Sequence, residues 1–257
     1  PEEDNGDRTA EAMIISKELD ILGDDIIEGE EVHDGASAGR PDVDVGRIDL
    51  PTHTLLIASV VRDGYEFAMD EAAVTTDISL PRPDALEGDL RAYTVDFAGF
   101  ADIEVDVNDA SVTLGDVPID VTQVIVLEGA DGPRERYESA AAGHLPEAGQ
   151  NAGMLLAYLH GKMAFVHQRL QALSVDVPSA EAAFDRAVAL KRESSAALEA
   201  GDFATSYRLA RKAQQHYRRM LYDYRAHAET LRAEAPPRVG KFLMMPYTLP
   251  RFFAAFD

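Results

Sequence analysis

The sequence predicts an α+β protein: an acidic antiparallel β domain, as a sandwich or open barrel, followed by an up-down-up bundle of three helices. Three observations predict it. The apolar pattern has a period of two as far as Leu127 and a period near 3.6 beyond Gly143. The strand-like runs follow one another with short turns between them, which is how antiparallel sheets are connected. Charge also breaks between the halves: residues 1–137 hold 34 Asp+Glu against 9 Lys+Arg, and residues 138–257 hold 12 against 15. The expected division is an N-terminal segment over 1–48, the β domain over 49–137, the bundle over 138–235 and an apolar, basic tail over 236–257.

Residues 1–10 are polar and read as a frayed end. Ala12–Leu22 fits either a helix or a strand, and Gly35–Val45 reads as a loop. Thr52–Val61 is a β-branched apolar run, and Arg62-Asp63-Gly64 is a hairpin turn leading to a return strand over Tyr65–Met69. Val74–Leu80 is the next strand, stopped by Pro81 and Pro83. Asp102–Val107 alternates strictly, with Ile103, Val105 and Val107 on one face and three carboxylates on the other. Ser111–Leu114 and Val117–Val121 follow, separated by a turn at Gly115-Asp116, and Val124–Leu127 is the last strand.

Gly129–Gly143 reads as a polar connector. Pro146 suits a first helical turn, and Ala152, Leu155, Leu159, Met163, Val166, Leu170 and Leu173 form the apolar stripe of a long helix. Pro178-Ser179 opens a second helix with Ser179 as N-cap. Gly201 ends that helix, and Asp202 caps a third that buries Phe203, Tyr207, Ala210, Ala213, Tyr217, Met220, Tyr224 and Leu231.

Residues 180–232, above all Ala189–Ala213 with Ala-Gly-Asp-Phe at the turn, resemble the helical hairpin of TPR and MIT-type modules. The resemblance implies protein–protein docking rather than catalysis and carries no ligand residues.

Composition bounds the chemistry. An apolar fraction of 46% supports packed cores, and no apolar stretch approaches the roughly 20 residues that span a bilayer. The absence of Cys excludes disulfides and thiolate chemistry. The chain begins at Pro1 rather than Met, which reads as a fragment or processed form, so that any membrane anchor could have been removed. With 19 Arg, 5 Lys and a net charge of −22, the composition resembles that of haloarchaeal proteins. At molar salt the Debye length is about 3 Å, so repulsion among carboxylates is muted.

Asp102, Glu104, Asp106, Asn108 and Asp109 suggest calcium at first sight, but Val107 and Thr113 stand where a calcium loop needs Gly and Glu. Those residues read as a solvated strand face. His160 and His167, with Met154, Met163 and His216, read as packing or surface groups rather than metal or haem ligands. No phosphate-binding loop, nucleophile elbow or zinc-protease motif occurs. The reading therefore leans away from an enzyme and assigns no catalytic residue, metal or cofactor.

The expected site is a band of cations on the third helix: Arg208, Arg211, Lys212, Arg218, Arg219 and Arg225. Its expected receivers are a protein partner or an anionic membrane surface, with homo-oligomerisation also compatible. Nucleic acid, with Tyr222 as a stacker, is opposed by the net charge. In the tail, Phe242, Tyr247, Phe252 and Phe253 lie among Arg238, Lys241 and Arg251 and read as membrane-interface residues. The expectation is a non-catalytic, membrane-associated interaction protein on an undecided side of the membrane, with a small-ligand site between the domains as a further alternative.

Overall fold

The computed structural model describes residues 6–33, 35–60, 74–120 and 122–234. They hold four helices and nine strands, as expected for a β domain followed by three helices. The tail residues Phe242, Tyr247, Phe252 and Phe253 lie outside the described residues, as do the Asp63-Gly64 turn and the return strand over Tyr65–Met69. The chain divides into two compact units, one built around the sheet and one from helices. Two helices, α1 (Gly6–Glu28) and α2 (Arg134–Ala172), cross the division, between Ile14 and Ile15 and between Ala148 and Gly149.

The sheet is antiparallel throughout. Its strands are β1 (Glu30–Glu31), β2 (Ser37–Ala38), β3 (Val43–Asp49), β4 (His53–Val60), β5 (Val74–Pro81), β6 (Arg91–Thr94), β7 (Ala101–Val107), β8 (Ser111–Ile119) and β9 (Thr122–Glu128). Their order is β1-β3-β4-β9-β6-β7-β8-β5-β2. The sheet curls, bringing β2 at one edge close to β3 near the other. Strand alternation then sorts the side chains. Leu56, Ile78, Val112, Leu114, Ile119, Ile125 and Leu127 form a fully enclosed cluster inside the curl. Asp102, Glu104 and Asp106 face water, as the alternation of β7 requires.

Arg47 closes the seam. It is 5% exposed, and its Nε and Nη2 donate to Asp49 at 2.8 and 2.7 Å. Its Nη1 donates to the carbonyls of Gly35 (3.1 Å) and Pro81 (3.2 Å), so one guanidinium ties β3 to the far edge of the sheet. Thr54 Oγ1 donates to Asp49 Oδ1 at 2.8 Å and fixes the carboxylate from the next strand.

Several local expectations are corrected. Ala12–Leu22 belongs to a helix that starts at Gly6, so the polar start is helical from that point. The supposed loop Gly35–Val45 contains β2 and the first residues of β3. Gly115-Asp116 is not a turn: Asp116 takes φ 50° inside a continuous β8. The irregularity is absorbed by a register shift between Thr76 and Ile78 of β5, where Asp77 Oδ1 accepts the Asp116 N–H at 3.0 Å. β6 went unread because four residues between Gly/Asp-rich flanks carry no period.

In the helical unit, α3 (Pro178–Glu199) and α4 (Phe203–Glu234) form a tight antiparallel pair. Ala180, Ala183, Ala187, Ala210 and Ala213 are buried and allow close approach. Ser194 Oγ donates to the Ser206 carbonyl at 3.0 Å across that contact. Their link is a Schellman motif. Gly201 adopts φ 76°, its N–H bonds Leu198 O, and the Asp202 N–H bonds Ala197 O. Asp202 Oδ1 then accepts the Thr205 N–H at 3.0 Å, the expected N-cap, and this bond holds the Asp202 carboxyl below its ordinary range. The cap expected at Ser179 is absent: Val177 stands at the N-cap without a side-chain bond, and Pro178 occupies the first turn. The α2 segment within this unit completes the bundle, packing Met163, Val166 and Leu170 against Ala180, Ala183, Met220 and Tyr224. Pro146 lies inside α2 rather than opening it, because Arg134–Ala142 is rich in helix formers and starts the helix earlier.

Candidate functional site

The expected cation band lies along α4. Arg208, Lys212 and Arg219 are exposed, and Arg211, Arg218 and Arg225 are half-buried. Part of it is committed within the helix. Arg219 Nε sits 2.9 Å from Asp223 with its guanidinium over the Tyr222 ring, and Arg225 Nε donates to Glu229 at 2.9 Å. Arg208 donates to Thr205 Oγ1 at 3.1 Å. Arg211 and Arg218 are engaged as well.

The histidines weighed as ligands serve the packing of α2 on α4. His160 Nδ1 lies 2.6 Å from the Tyr217 hydroxyl, and His167 Nδ1 lies 2.7 Å from that of Tyr224. Both pairs are seven residues apart on each helix, so α2 and α4 run parallel with matched heptads. Phe184 of α3 stacks on His167 at 4.3 Å and on His160 at 6.2 Å. Burial lowers the pKa of both histidines. Lys191 lowers His160 further, whereas Glu181 and Asp185 oppose the shift at His167. Burial pushes Tyr217 and Tyr224 up to about 12, with Glu181 and Asp176 adding to it at Tyr224. His216 stands apart from these pairs, lowered by burial and then by Arg186. Among the described residues no three His, Asp or Glu side chains gather as a metal would require.

The opposite side of α2 was not read from the sequence. Met154 (55% exposed), Phe165 (57%) and Leu173 (64%) present large apolar groups to water. Leu173, expected in the core, lies one residue beyond the helix end and escapes it. Lys162 Nζ lies 4.3 Å from the centroid of the Tyr158 ring, and Arg169 Cζ lies 5.2 Å from that of Phe165. The signal was present in the sequence as a second stripe at 154, 158, 161 and 165, spaced by four, three and four. A second signal accompanies it: Ala148–Val175 contains no Asp or Glu.

The sheet unit holds a buried polar cluster on the face of the sheet turned away from the curl. His53 of β4 is 2% exposed; its Nε2 lies 2.9 Å from the Tyr137 hydroxyl of α2, and Thr52 Oγ1 lies 3.1 Å from its Nδ1. The Tyr137 hydroxyl donates to Asp25 of α1, to which Arg136 Nη2 also donates at 2.5 Å. With its one proton given to Asp25, the Tyr137 hydroxyl accepts from His53 Nε2–H, leaving Nδ1 to accept from Thr52. Burial lowers the pKa of His53 against the pull of Asp25, and burial raises that of Tyr137. Beside it, the Tyr93 hydroxyl and the Arg134 N–H both donate to Glu128 Oε2, at 2.9 and 3.2 Å, which anchors the start of α2. Tyr93 and Tyr137 have no exposure, so this cluster fastens helices to sheet rather than meeting a substrate.

A cleft of about 890 Å³ opens beside Arg47, between Leu50, the Pro81–Gly88 segment and Asp109. Arg47 and Asp49 both line the cleft, and the Arg47 guanidinium there is engaged by Asp49, Gly35 and Pro81.

No family model, curated protein or solved structure matches the chain.

Proposed function

We propose that the chain is a non-catalytic interaction protein that associates peripherally with an anionic membrane, its helical half doing the docking and its acidic sheet unit facing salt-rich solvent. The observation that carries this reading is the charge contrast. In a chain of net charge −22, the residues from Ala148 to Val175 hold no carboxylate, yet they carry Lys162, Arg169 and an exposed apolar surface. A surface free of like charge can approach anionic headgroups, which repel the rest of the molecule. The cations of α4 and of the tail add to the same attraction. The excess of Asp and Glu over Lys and Arg in the first half supports a halophilic setting, where screening removes its self-repulsion.

Co-sedimentation with vesicles tests the reading. At about 0.1 M salt the chain is expected to pellet with phosphatidylglycerol-containing vesicles and to stay in solution with phosphatidylcholine alone. Added salt is expected to weaken the binding without abolishing it, because burial of the apolar groups survives screening. Equal behaviour with both lipids removes the proposal. Equal pelleting of residues 1–235 and the full chain removes the tail's part in it.

A further inference from the structure

We propose that the outer face of α2 from Met154 to Ala172, extended by Leu173, is the lipid-contact face and lies along the headgroup region of an anionic bilayer. This rests on the membrane reading above and names the surface responsible.

Positions 154, 158, 161, 165, 169 and 172 follow helical spacing, so Met154, Tyr158, Phe165 and their small neighbours form one stripe about 27 Å long. The opposite side of the helix is occupied: Leu155, Leu156, Val166 and Leu170 are buried in the chain's own packing. The exposed stripe is thus an addition to the core and not a displaced part of it. Its two cations each sit one turn beyond an aromatic ring, Lys162 over Tyr158 and Arg169 over Phe165. In a bilayer interface that pairing lets the ring enter the acyl boundary while the cation remains among phosphates.

Charge complementarity selects the occupant. A second copy would bring Lys162 and Arg169 against the same two cations, with no carboxylate from Ala148 to Val175 on either copy to compensate. The chain's own tail carries Arg238, Lys241 and Arg251 before its terminal Asp257 and would add like charge. Anionic lipid neutralises both cations and takes up the apolar groups together.

The chain has no Trp, so Phe165→Trp installs a single reporter in the middle of the face. Its emission is expected to shift to the blue on phosphatidylglycerol-containing vesicles, to be quenched by brominated acyl chains, and to stay unchanged on phosphatidylcholine. Lys162→Glu and Arg169→Glu are each expected to lower vesicle affinity about fivefold or more, and Phe165→Ser about tenfold. Far-ultraviolet circular dichroism confirms that each variant keeps its helices. If the reporter protein pellets with anionic vesicles but its emission does not move, the face is wrong while membrane association stands. If it binds neither vesicle, the membrane reading falls as well. If emission shifts with protein concentration and no lipid, the face belongs to a second copy and the proposal is overturned.

Discussion

At the residue scale, Arg47 shows how a buried charge is made tolerable. Arg47 places its donors on Asp49 and two carbonyls, so the guanidinium is compensated as well as enclosed. Arg47→Ala is expected to destabilise the protein by about 3–5 kcal/mol, since it strands Asp49 and two seam carbonyls. Replacing Arg47 and Asp49 together by apolar residues is expected to cost less than that single change. Urea titrations of the two variants check both statements. Tyr137→Phe is expected to cost about 1–3 kcal/mol, because it removes the hydroxyl linking Asp25 to His53; a loss near zero would mean the cluster does not hold α2 down. The histidines set the direction of the pH response. His53, His160, His167 and His216 all have pKa values lowered from 6.5, chiefly by burial. The unfolded chain therefore binds more protons below that pH. Their contribution to stability is complete above about 6.5 and is lost as pH falls below that value and through the lowered folded-state values. Melting temperatures between pH 8 and pH 5 should decline in that sense, and the decline should shrink in His160→Gln and His167→Gln variants.

At the element scale, sequence pattern was most legible where one rule acted alone. The alternation of Asp102–Val107 and the stop at Gly201 are found as read, and so is the buried face of α4 from Tyr207 to Tyr224, whereas Phe203 and Leu231 are only half-buried. Reading failed where tertiary contacts outvoted local signals. Pro146 looked like a helix start, but the helix formers of Arg134–Ala142, together with the Glu128 carboxylate that accepts the Arg134 N–H, start α2 earlier. Gly115-Asp116 looked like a turn, but pairing of β8 with β5 on one side and β7 on the other keeps the strand going. The α2 surface is hard to read for a different reason: the stronger stripe through Leu155, Val166 and Leu170 already accounts for the helix's burial and masks the second. Two glycine substitutions separate backbone from packing effects. Gly201 and Gly143 both leave open space for a Cβ, but only Gly201 has positive φ. Gly201→Ala is expected to cost about 1 kcal/mol, and Gly143→Ala, inside α2, to gain about 1 kcal/mol. Thermal melts of the pair test the assignment of the Schellman turn.

At the scale of the whole molecule, the charge of −22 is concentrated before residue 138. Self-repulsion of that size makes stability depend on ionic strength. Melting temperature is expected to rise from about 0.1 M to about 1 M salt, as the Debye length shrinks from about 10 Å to about 3 Å. A flat or falling profile would argue against adaptation to concentrated salt. The exposed apolar stripe on α2 and the acidic strand face of β7 belong to different units, so added salt should firm the sheet while loosening any hold on headgroups. The two responses can be measured in the same titration.

The passage of α2 through both units governs how the molecule can be cut. A break at residue 137, where charge composition changes, would strip the sheet of Ala141 and Ala148, both buried, and cut the chain at the tyrosine that meets Asp25 and His53. The excised sheet would then expose Leu55, Tyr93 and Val126 and would clump rather than dissolve. Anyone dissecting this protein should carry the sheet fragment through Ala148, treating the opening turns of the rod as its roof.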